Sequence, residues 1–364
     1  MHYLIDYIRA NKRVPRAVEP FNEVDMLAFT CIPFLALDGI VSDKFADEDV
    51  TFAEAGWQYR LLYEKKGDNL GLLIPKEFCD MFLEMADSVR YGDLLLYGFS
   101  REFDAATEMQ FGGVCFGVPE GYSIVSYSGT DDSLLGWKED LNLSLHGVIA
   151  SQARAERYIN DVMLARSEPI TICGTSKGGH LSVYAAAKCF DHSRIERVFD
   201  FDGPGFTDEF LDSEAFLDIS NRCLLIAPRY SAVSQMLNNI PNYVVTRGMR
   251  RGLYQHYCNR WIVEGSRFVR EADFAPDTYV FHREFMQMMQ DTTEEARQLC
   301  VDTVFSMAQR TGAKTLYDFW KDRHNYVPVI MAEFGKLDRK TRHETVALLQ
   351  RFLHMIVKNY NVKR

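Results

Sequence analysis

A serine set between glycines, Gly174-Thr175-Ser176-Lys177-Gly178, follows a β-like run from Pro169 to Cys173 and precedes a helix-like run from His180 to Phe190. Strand, glycine-flanked serine and helix in that order are the parts of a nucleophile elbow. The serine sits on a strained turn, so its neighbours must be small for strand and helix to close on one another. Such a turn aims the hydroxyl away from the sheet. It also presents the next backbone N–H, that of Lys177, where an oxyanion would form. A phosphate-cradling loop would need the lysine before the serine, in G-x-x-x-x-G-K-[ST], and here Lys177 follows it. The bland alternative for the pentapeptide is a glycine-rich turn without chemistry.

A serine nucleophile needs a base, and the base needs an orienting group. After an elbow they come in the order serine, acid, histidine. His146 precedes the serine. His180 falls on the first turn of the elbow helix, where a structural or capping role fits it, and His192 stands at a helix end, where a cation suits the dipole. His256 lies in a loop after the last strand-like run and is the candidate base. The acid is harder to place. The run after strand 223–227, Pro228-Arg229-Tyr230-Ser231-Ala232-Val233-Ser234, holds no carboxylate. Asp202, in Phe199-Asp200-Phe201-Asp202-Gly203-Pro204-Gly205, lies at the C-terminal edge of the preceding strand, the side on which open α/β sheets bind ligands. Three readings stay open: Asp202 orients His256; Asp202 caps a turn before Gly-Pro; or a Ser231 or Ser234 hydroxyl, or a backbone carbonyl, holds the imidazole. For the second oxyanion donor the candidate is Thr130, after Gly129 in Ser126-Tyr127-Ser128-Gly129-Thr130-Asp131-Asp132. Asp131, Asp132 and Asp140 have no histidine beside them, which reads as a capped helix and not a metal site.

These residues need a scaffold, and the chain provides its pattern. Met109 to Val118 and Tyr122 to Ser128, joined by Pro119-Glu120-Gly121, read as a hairpin. Asp132 to Leu143 is a helix candidate with Asp132 or Ser133 as N-cap, and Ser151 to Leu164 is a second helix. The elbow strand and helix follow, then strands at Arg197 to Phe201, Cys223 to Ala227 and Tyr243 to Thr246. Strand and helix in alternation predict an α/β fold with a largely parallel sheet. Before residue 90 the chain reads as helical and irregular, with 3.6-residue apolar spacing at Asn22–Leu27 and Lys76–Leu83. After residue 284 it reads as helices, at Phe285 to Ala308, Thr315 to Arg323 and Val327 to Val357. The expected division is an N-terminal helical region, 1–90, packed on a core at 91–283, and a C-terminal helical region at 284–364.

Composition bounds the partners. The 364 residues carry a net charge of −10, which speaks against a general nucleic-acid or anionic-membrane role. The opening Met-His-Tyr-Leu-Ile-Asp-Tyr-Ile-Arg has charge inside its apolar run, unlike a secretory signal. No apolar run is long enough to suggest a membrane span. The eight cysteines are scattered without a C-x-x-C pair, and several lie in apolar runs. That pattern predicts reduced core cysteines and a cytoplasmic protein.

Gly129-Thr130 followed by Trp137-x-x-Asp140-Leu141 resembles the G-T…W-x-x-D-L block of class 3 (fungal-type) lipases, and Ser176 with Gly178-Gly179 resembles their G-H-S-L-G-G. Phe201-Asp202-Gly203-Pro204 is similar in place to their Y-G-Q-P, and Pro228 to Leu237 stands where they carry D-x-V-P. Gly129-Thr130-Asp131-Asp132, Gly136-Trp137-Lys138-Glu139-Asp140, Asp202-Gly203-Pro204-Gly205-Phe206, and Gln255-His256 with Trp261 resemble more closely a bacterial branch of lipase-like α/β-hydrolases. The resemblance covers roughly residues 90–265. It implies an α/β-hydrolase fold, Ser176 as nucleophile, His256 as base, and Thr130 and Lys177 as oxyanion donors. The usual acid position falls near Ser231, which is not acidic. Lys177 replaces an apolar residue, and a cation beside the oxyanion site would favour an acidic substrate group.

The reading is a serine hydrolase of carboxylic esters, working through an acyl-enzyme on Ser176 with His256 and Asp202, on a small-molecule or lipid-like ester, with no cofactor or metal. The alternatives are a catalytically weak or inactive binding or regulatory module, or a thioesterase or acyltransferase. Phe206 to Leu217 reads either as an apolar cover over the site or as an amphipathic crossover. Arg247, Arg250 and Arg251 form a basic cluster before His256, either a head-group site or a solvated loop.

Overall fold

The structure, a computed structural model, describes residues 2–46, 48–63, 70–249 and 252–360. Two helices, α1 (Leu4–Asn11) and α2 (Glu23–Thr30), open the chain. Asn22 starts α2: its side-chain oxygen accepts from Val24 N at 2.9 Å and caps the first turn. Strand β1 (Val50–Thr51) leads into α3 (Phe52–Tyr63), and α4 (Glu77–Ala86) follows. Next come β2 (Leu95–Asp104), β3 (Met109–Val118), β4 (Tyr122–Tyr127), α5 (Leu134–His146), α6 (Ala150–Ala165), β5 (Ile170–Thr175), α7 (Lys177–Lys188) and β6 (Ile195–Phe201). Then follow α8 (Asp208–Leu211), α9 (Glu214–Ile219), β7 (Cys223–Pro228) and β8 (Tyr243–Thr246). A hairpin of β9 (Val263–Glu264) and β10 (Arg267–Phe268) precedes α10 (Pro276–Asp291), α11 (Glu294–Arg310), α12 (Leu316–Lys321), α13 (Arg323–Lys336) and α14 (Arg339–Tyr360).

Strands β1 to β8 form one sheet in chain order. Pairing is antiparallel from β1 to β4 and parallel from β4 to β8. The strand-rich half of the sequence pattern is present, with β3 and β4 as the expected hairpin. Strand β2 is an addition that the pattern did not show. Its register shifts between Tyr97 and Ser100 around Gly98, whose φ is +63°, and its second half turns outward to Arg101, Glu102 and Asp104. A bulge followed by charge hides the two-residue alternation by which a strand is read.

Each face of the sheet is buried by a different layer. One face, with Phe116, Ile124, Phe199 and Phe201, packs on α1, α2, α3 and α4. The other, with Val125, Ile172, Val198 and Leu225, packs on α6, α7 and α9. Strands covered on both faces read as continuous apolar runs, which is why β3 and β5 were legible. A third apolar cluster joins α10, α11 and α14, with Phe281, Phe285, Met288 and Met355 fully or nearly buried. Two expected long helices are broken here. The run Phe285–Ala308 divides at Thr293, whose hydroxyl caps α11 by accepting from Ala296 N. The run Val327–Val357 divides at Asp338, whose carboxylate accepts from Lys340 N and Thr341 N at the start of α14. Short polar side chains at these breaks offer helix amides a better partner than continued winding.

Candidate active site

The elbow lies between β5 and α7. Ser176 has φ +56° and ψ −130°, a region that L-residues enter only when the surroundings impose it. The close approach behind it requires glycine: a Cβ on Gly174 would stand 2.0 Å from Gly178 O. Ser176 is tied to the next strand by its amide, which donates to Phe201 O at 2.9 Å. Asp202 follows Phe201 directly and also has φ +56°. Only four described non-glycine residues have positive φ, and these two face one histidine.

That histidine is His256. Its Nε2 lies 3.0 Å from Ser176 Oγ, and its Nδ1 lies 2.8 Å from Asp202 Oδ2. The imidazole side chain is 32% exposed and the Asp202 side chain is fully buried. This is the geometry for a serine hydroxyl donating to Nε2 while Nδ1–H donates to a carboxylate. The structure therefore brings Ser176, His256 and Asp202 together. Ser231 does not hold the imidazole. Its hydroxyl donates to the second oxygen of Asp202, Oδ1, and in turn accepts from Ser234 N at 3.0 Å and Ser234 Oγ at 2.8 Å. The candidate acid stands after β6, and Ser231, in the turn after β7 near the position that the class 3 lipase resemblance implies for the acid, serves it as a hydrogen-bond donor.

The loop carrying His256 is braced from below. Trp261, fully buried, donates from Nε1 to Gln255 O at 2.7 Å. Gln255 Oε1 accepts from Tyr230 N at 3.0 Å, and its Nε2 donates to Gly248 O at 3.2 Å. The turn that carries Asp202 is held as well. Asp200 accepts from Gly203 N at 2.8 Å, and burial pushes its pKa well above the carboxylate range. His180 is structural: Nδ1 is 3.1 Å from Gly205 O, and Nε2 is 2.8 Å from Gln152 Nε2. Burial lowers its pKa to about 4, so the ring is neutral, with Nδ1–H donating and Nε2 accepting. His192 sits at the end of α7, Nε2 3.0 Å from Ala187 O and Nδ1 2.7 Å from Asp218.

Thr130 follows β4 on the loop into α5. Gly129 lets that loop touch the elbow: a Cβ there would be 2.8 Å from Thr175 O and 3.1 Å from Ser176 Cβ. Among the described residues, neither the Thr130 amide nor the Lys177 amide is taken by a backbone carbonyl, so both are available to an anion. Beside them, burial pushes Asp140 up to about 6, while the Lys177 ammonium and the nearby Thr130 hydroxyl pull it back. Asp140 Oδ1 and Thr130 Oγ1 are both buried there. Asp131 and Asp132 are structural. Asp131 accepts from Ser133 N at 2.9 Å, Ser133 caps α5, and Asp132 Oδ2 accepts from Tyr317 N at 3.0 Å. The described residues contain no cluster of His, Cys, Asp and Glu able to hold a metal.

One sequence expectation changes, and an open one is decided. The Lys177 ammonium does not face the substrate side. It points inward, 1% exposed, onto Glu139 and Gln110, because three buried acceptors await it there. Phe206 to Leu217 is the crossover: Phe206 stacks on His180 at 4.1 Å and on Phe210 at 4.5 Å, and Phe216 is buried. Of the basic cluster, Arg247 pairs with Glu271 at 2.5 Å, while Arg250 and Arg251 lie outside the described residues. Glu139 and Gln110 were missed as contributors. Their only signal was the pair Glu139-Asp140, adjacent acids on one helix, with a lysine one residue after the serine.

The sheet, parallel from β4 onward, and the serine elbow at the end of its β5 strand define an α/β-hydrolase fold. The Mbeg1-like family model matches residues 85–306, and the chain belongs to that lipase-like family. No curated protein matches. Among solved structures, this chain is similar to one titled M37 lipase, at 15% identity and a TM-score of 0.37, over 60% of this chain and 71% of that one. No helix among the described residues is long and apolar enough to cross a membrane.

Proposed function

We propose that the chain is a serine hydrolase that cleaves carboxylic esters through an acyl-enzyme on Ser176. The observation that carries this is the unbroken run of contacts from Ser176 Oγ through His256 to Asp202, at 3.0 and 2.8 Å. In the proposed cycle Ser176 Oγ attacks the ester carbonyl while its proton passes to His256 Nε2. The Thr130 and Lys177 amides receive the developing oxyanion. His256 then protonates the leaving alcohol, and a water activated by the same nitrogen releases the acid. Asp202 stays ionised, holds the ring by Nδ1–H and offsets the charge of the imidazolium. The non-catalytic alternative rested on a histidine with no carboxylate in reach, and Asp202 is in reach. Membership of a lipase-like family supports an ester with an apolar acyl chain as the substrate class.

The test is labelling by a fluorophosphonate probe, with hydrolysis of p-nitrophenyl esters of graded chain length. Labelling of wild type at Ser176, absent in Ser176→Ala, is the expected result. A folded wild-type protein that resists the probe and leaves every ester intact would overturn the reading.

A further inference from the structure

Lys177 has two ends with different tasks. Its amide is the oxyanion donor next to the nucleophile. Its ammonium is buried about a side chain's length away, with as many acceptors as it has N–H bonds: Gln110 O, Gln110 Oε1 and Glu139 Oε2, each at 2.7 Å. Both Lys177 and Glu139 side chains are 1% exposed. The remaining capacity of Glu139 is used as well. Oε2 accepts from Gln110 N at 3.0 Å, and Oε1 accepts from Ser151 N at 3.0 Å and Ser151 Oγ at 2.5 Å. One carboxylate thus ties together α7, β3, α5 and α6.

The same cluster borders the other oxyanion donor. A Cβ on Gly136 would stand 3.1 Å from Gln110 Oε1 and 2.9 Å from Thr130 Cγ2, so the carboxamide that receives the ammonium lies next to the Thr130 side chain. A buried ion pair is weak evidence for stability, because desolvation offsets its attraction and an apolar pair of similar volume often does as well. Class 3 lipases, which this chain resembles, carry an apolar residue after the nucleophile. A charge pair in that place, joined to both donor segments, is better explained by position. An oxyanion site is effective only where its donors are fixed before the charge develops.

We infer that Glu139 and the Lys177 side chain are positioning residues, which hold the Lys177 amide and the Thr130 loop in register beneath Ser176. The inference rests on the hydrolase reading of Ser176. It does not make the lysine a substrate-binding cation, since its three donors are taken.

The test compares wild type, Glu139→Gln and the double variant Lys177→Met/Glu139→Leu, which removes both charges and leaves neither buried alone. Three quantities are measured: thermal unfolding, kcat and KM on a short-chain p-nitrophenyl ester, and amide hydrogen exchange. In the double variant, kcat falls about 10- to 100-fold, less than the roughly 10²- to 10³-fold that outright removal of an oxyanion donor costs, while KM changes by less than about threefold. Exchange quickens in peptides spanning 129–136 and 175–182 and is unchanged in α10 to α14. A folded double variant with wild-type kcat and unchanged exchange in those two peptides would overturn the inference. Should the double variant fail to fold, Glu139→Gln decides by the same readouts. Should wild type neither label nor hydrolyse, the reading of Ser176 falls, and the exchange comparison alone still decides whether the pair positions these two segments.

Discussion

Two buried aspartates show how one residue type becomes a staple in one place and part of a candidate relay in another. Asp25, on α2, is fully buried among donors: Arg90 Nε at 2.9 Å and Nη2 at 2.6 Å, Tyr91 OH at 2.5 Å, Tyr7 OH at 3.1 Å and Asn22 N at 2.9 Å. Arg90 spends its other N–H groups on the Val14, Glu19 and Pro20 carbonyls. The cluster is closed, with every group facing another. Asp202 is equally buried but, among the described residues, takes only Ser231 and His256 as side-chain partners, and the run continues to the hydroxyl of half-buried Ser176. The first arrangement spends its hydrogen bonds on joining segments far apart in sequence. The second leaves one end open, and both of its anchoring residues, Ser176 and Asp202, sit at φ +56°. Satisfied burial marks structure; strain beside an open end marks a site.

The largest effect expected is at that open end. Ser176→Ala should abolish fluorophosphonate labelling and lower kcat/KM by about 10⁴-fold or more, since residual rate then rests on binding and oxyanion donors alone. Intact labelling in this variant would place the nucleophile elsewhere. Asp202→Asn keeps shape but offers His256 Nδ1–H a weaker partner or the wrong tautomer. A loss of about 10³- to 10⁴-fold in kcat, with the melting temperature little changed, is expected. Loss confined to KM would remove Asp202 from the relay.

The closed cluster should answer in the opposite way. Arg90→Met leaves Asp25 buried without its cation, which costs about 3–5 kcal/mol. Urea unfolding should show that drop, while kcat at a temperature where the variant stays folded matches wild type. A fall in kcat of the size seen for Asp202→Asn would erase the distinction drawn between the two aspartates.

The difference between the two clusters also explains what could be read from the sequence. Ser176 and Thr130 were legible as candidates because each follows a strand end with glycines where the backbone must close, and His256 because it comes in a loop after the last parallel strand, in the expected chain order. Asp202 was legible as a candidate partner of His256 by its strand edge, but the choice between it, a turn cap and a serine hydroxyl stayed open, because that pairing depends on the depth of two loops. The alternative in which Ser231 holds the ring falls on the same point: its hydroxyl reaches the carboxylate, not the ring. The Lys177 amide follows from backbone geometry alone, whereas the direction of its side chain depends on Gln110 and Glu139, remote in sequence. In the fold, the parallel strands showed as apolar runs between turns. Strand β2 was hidden by the bulge at Gly98 and its charged second half.

Below the Asp202 turn, His180 gives a pH test. Its folded pKa of about 4 lies under the ordinary 6.5. Its contribution is therefore present above about pH 6.5 and is lost as pH falls through 4, worth about 3 kcal/mol across that window. Asp140 works the other way: a carboxyl raised to about 6 is best tolerated below its unfolded pKa, and stability is lost as pH rises through 6. In wild type the two slopes oppose each other between pH 4 and 6. The urea midpoint of His180→Gln should fall more steeply than that of wild type as pH rises through this range, and that of Asp140→Asn should rise more steeply. Parallel profiles for all three proteins would mean that neither group is held as its surroundings imply.

The smallest effect expected is at Ser231, and it bears most directly on the comparison. Asp25 is held by five donor atoms, so loss of one leaves it well satisfied. Asp202 has two side-chain partners, and Ser231 is the one that touches no candidate reacting group. Removing its hydroxyl frees Asp202 Oδ1 in a buried site, which weakens the carboxylate's charged form and lets it rotate against His256. A hydrogen bond to a charged group is worth about 1.5–3 kcal/mol, but Ser234 lies beside the gap, with its hydroxyl 2.8 Å from Ser231 Oγ, and can turn toward it. Ser231→Ala should therefore lower kcat only about tenfold. Ser231→Thr, which restores a hydroxyl, should recover most of the rate. Ser231→Asp separates support from replacement. If Ser231 merely supports Asp202, a second carboxylate against the first destabilises both, and activity falls below that of the alanine variant. If the position after β7 can itself serve as the acid, Ser231→Asp combined with Asp202→Asn should regain activity that Asp202→Asn alone has lost.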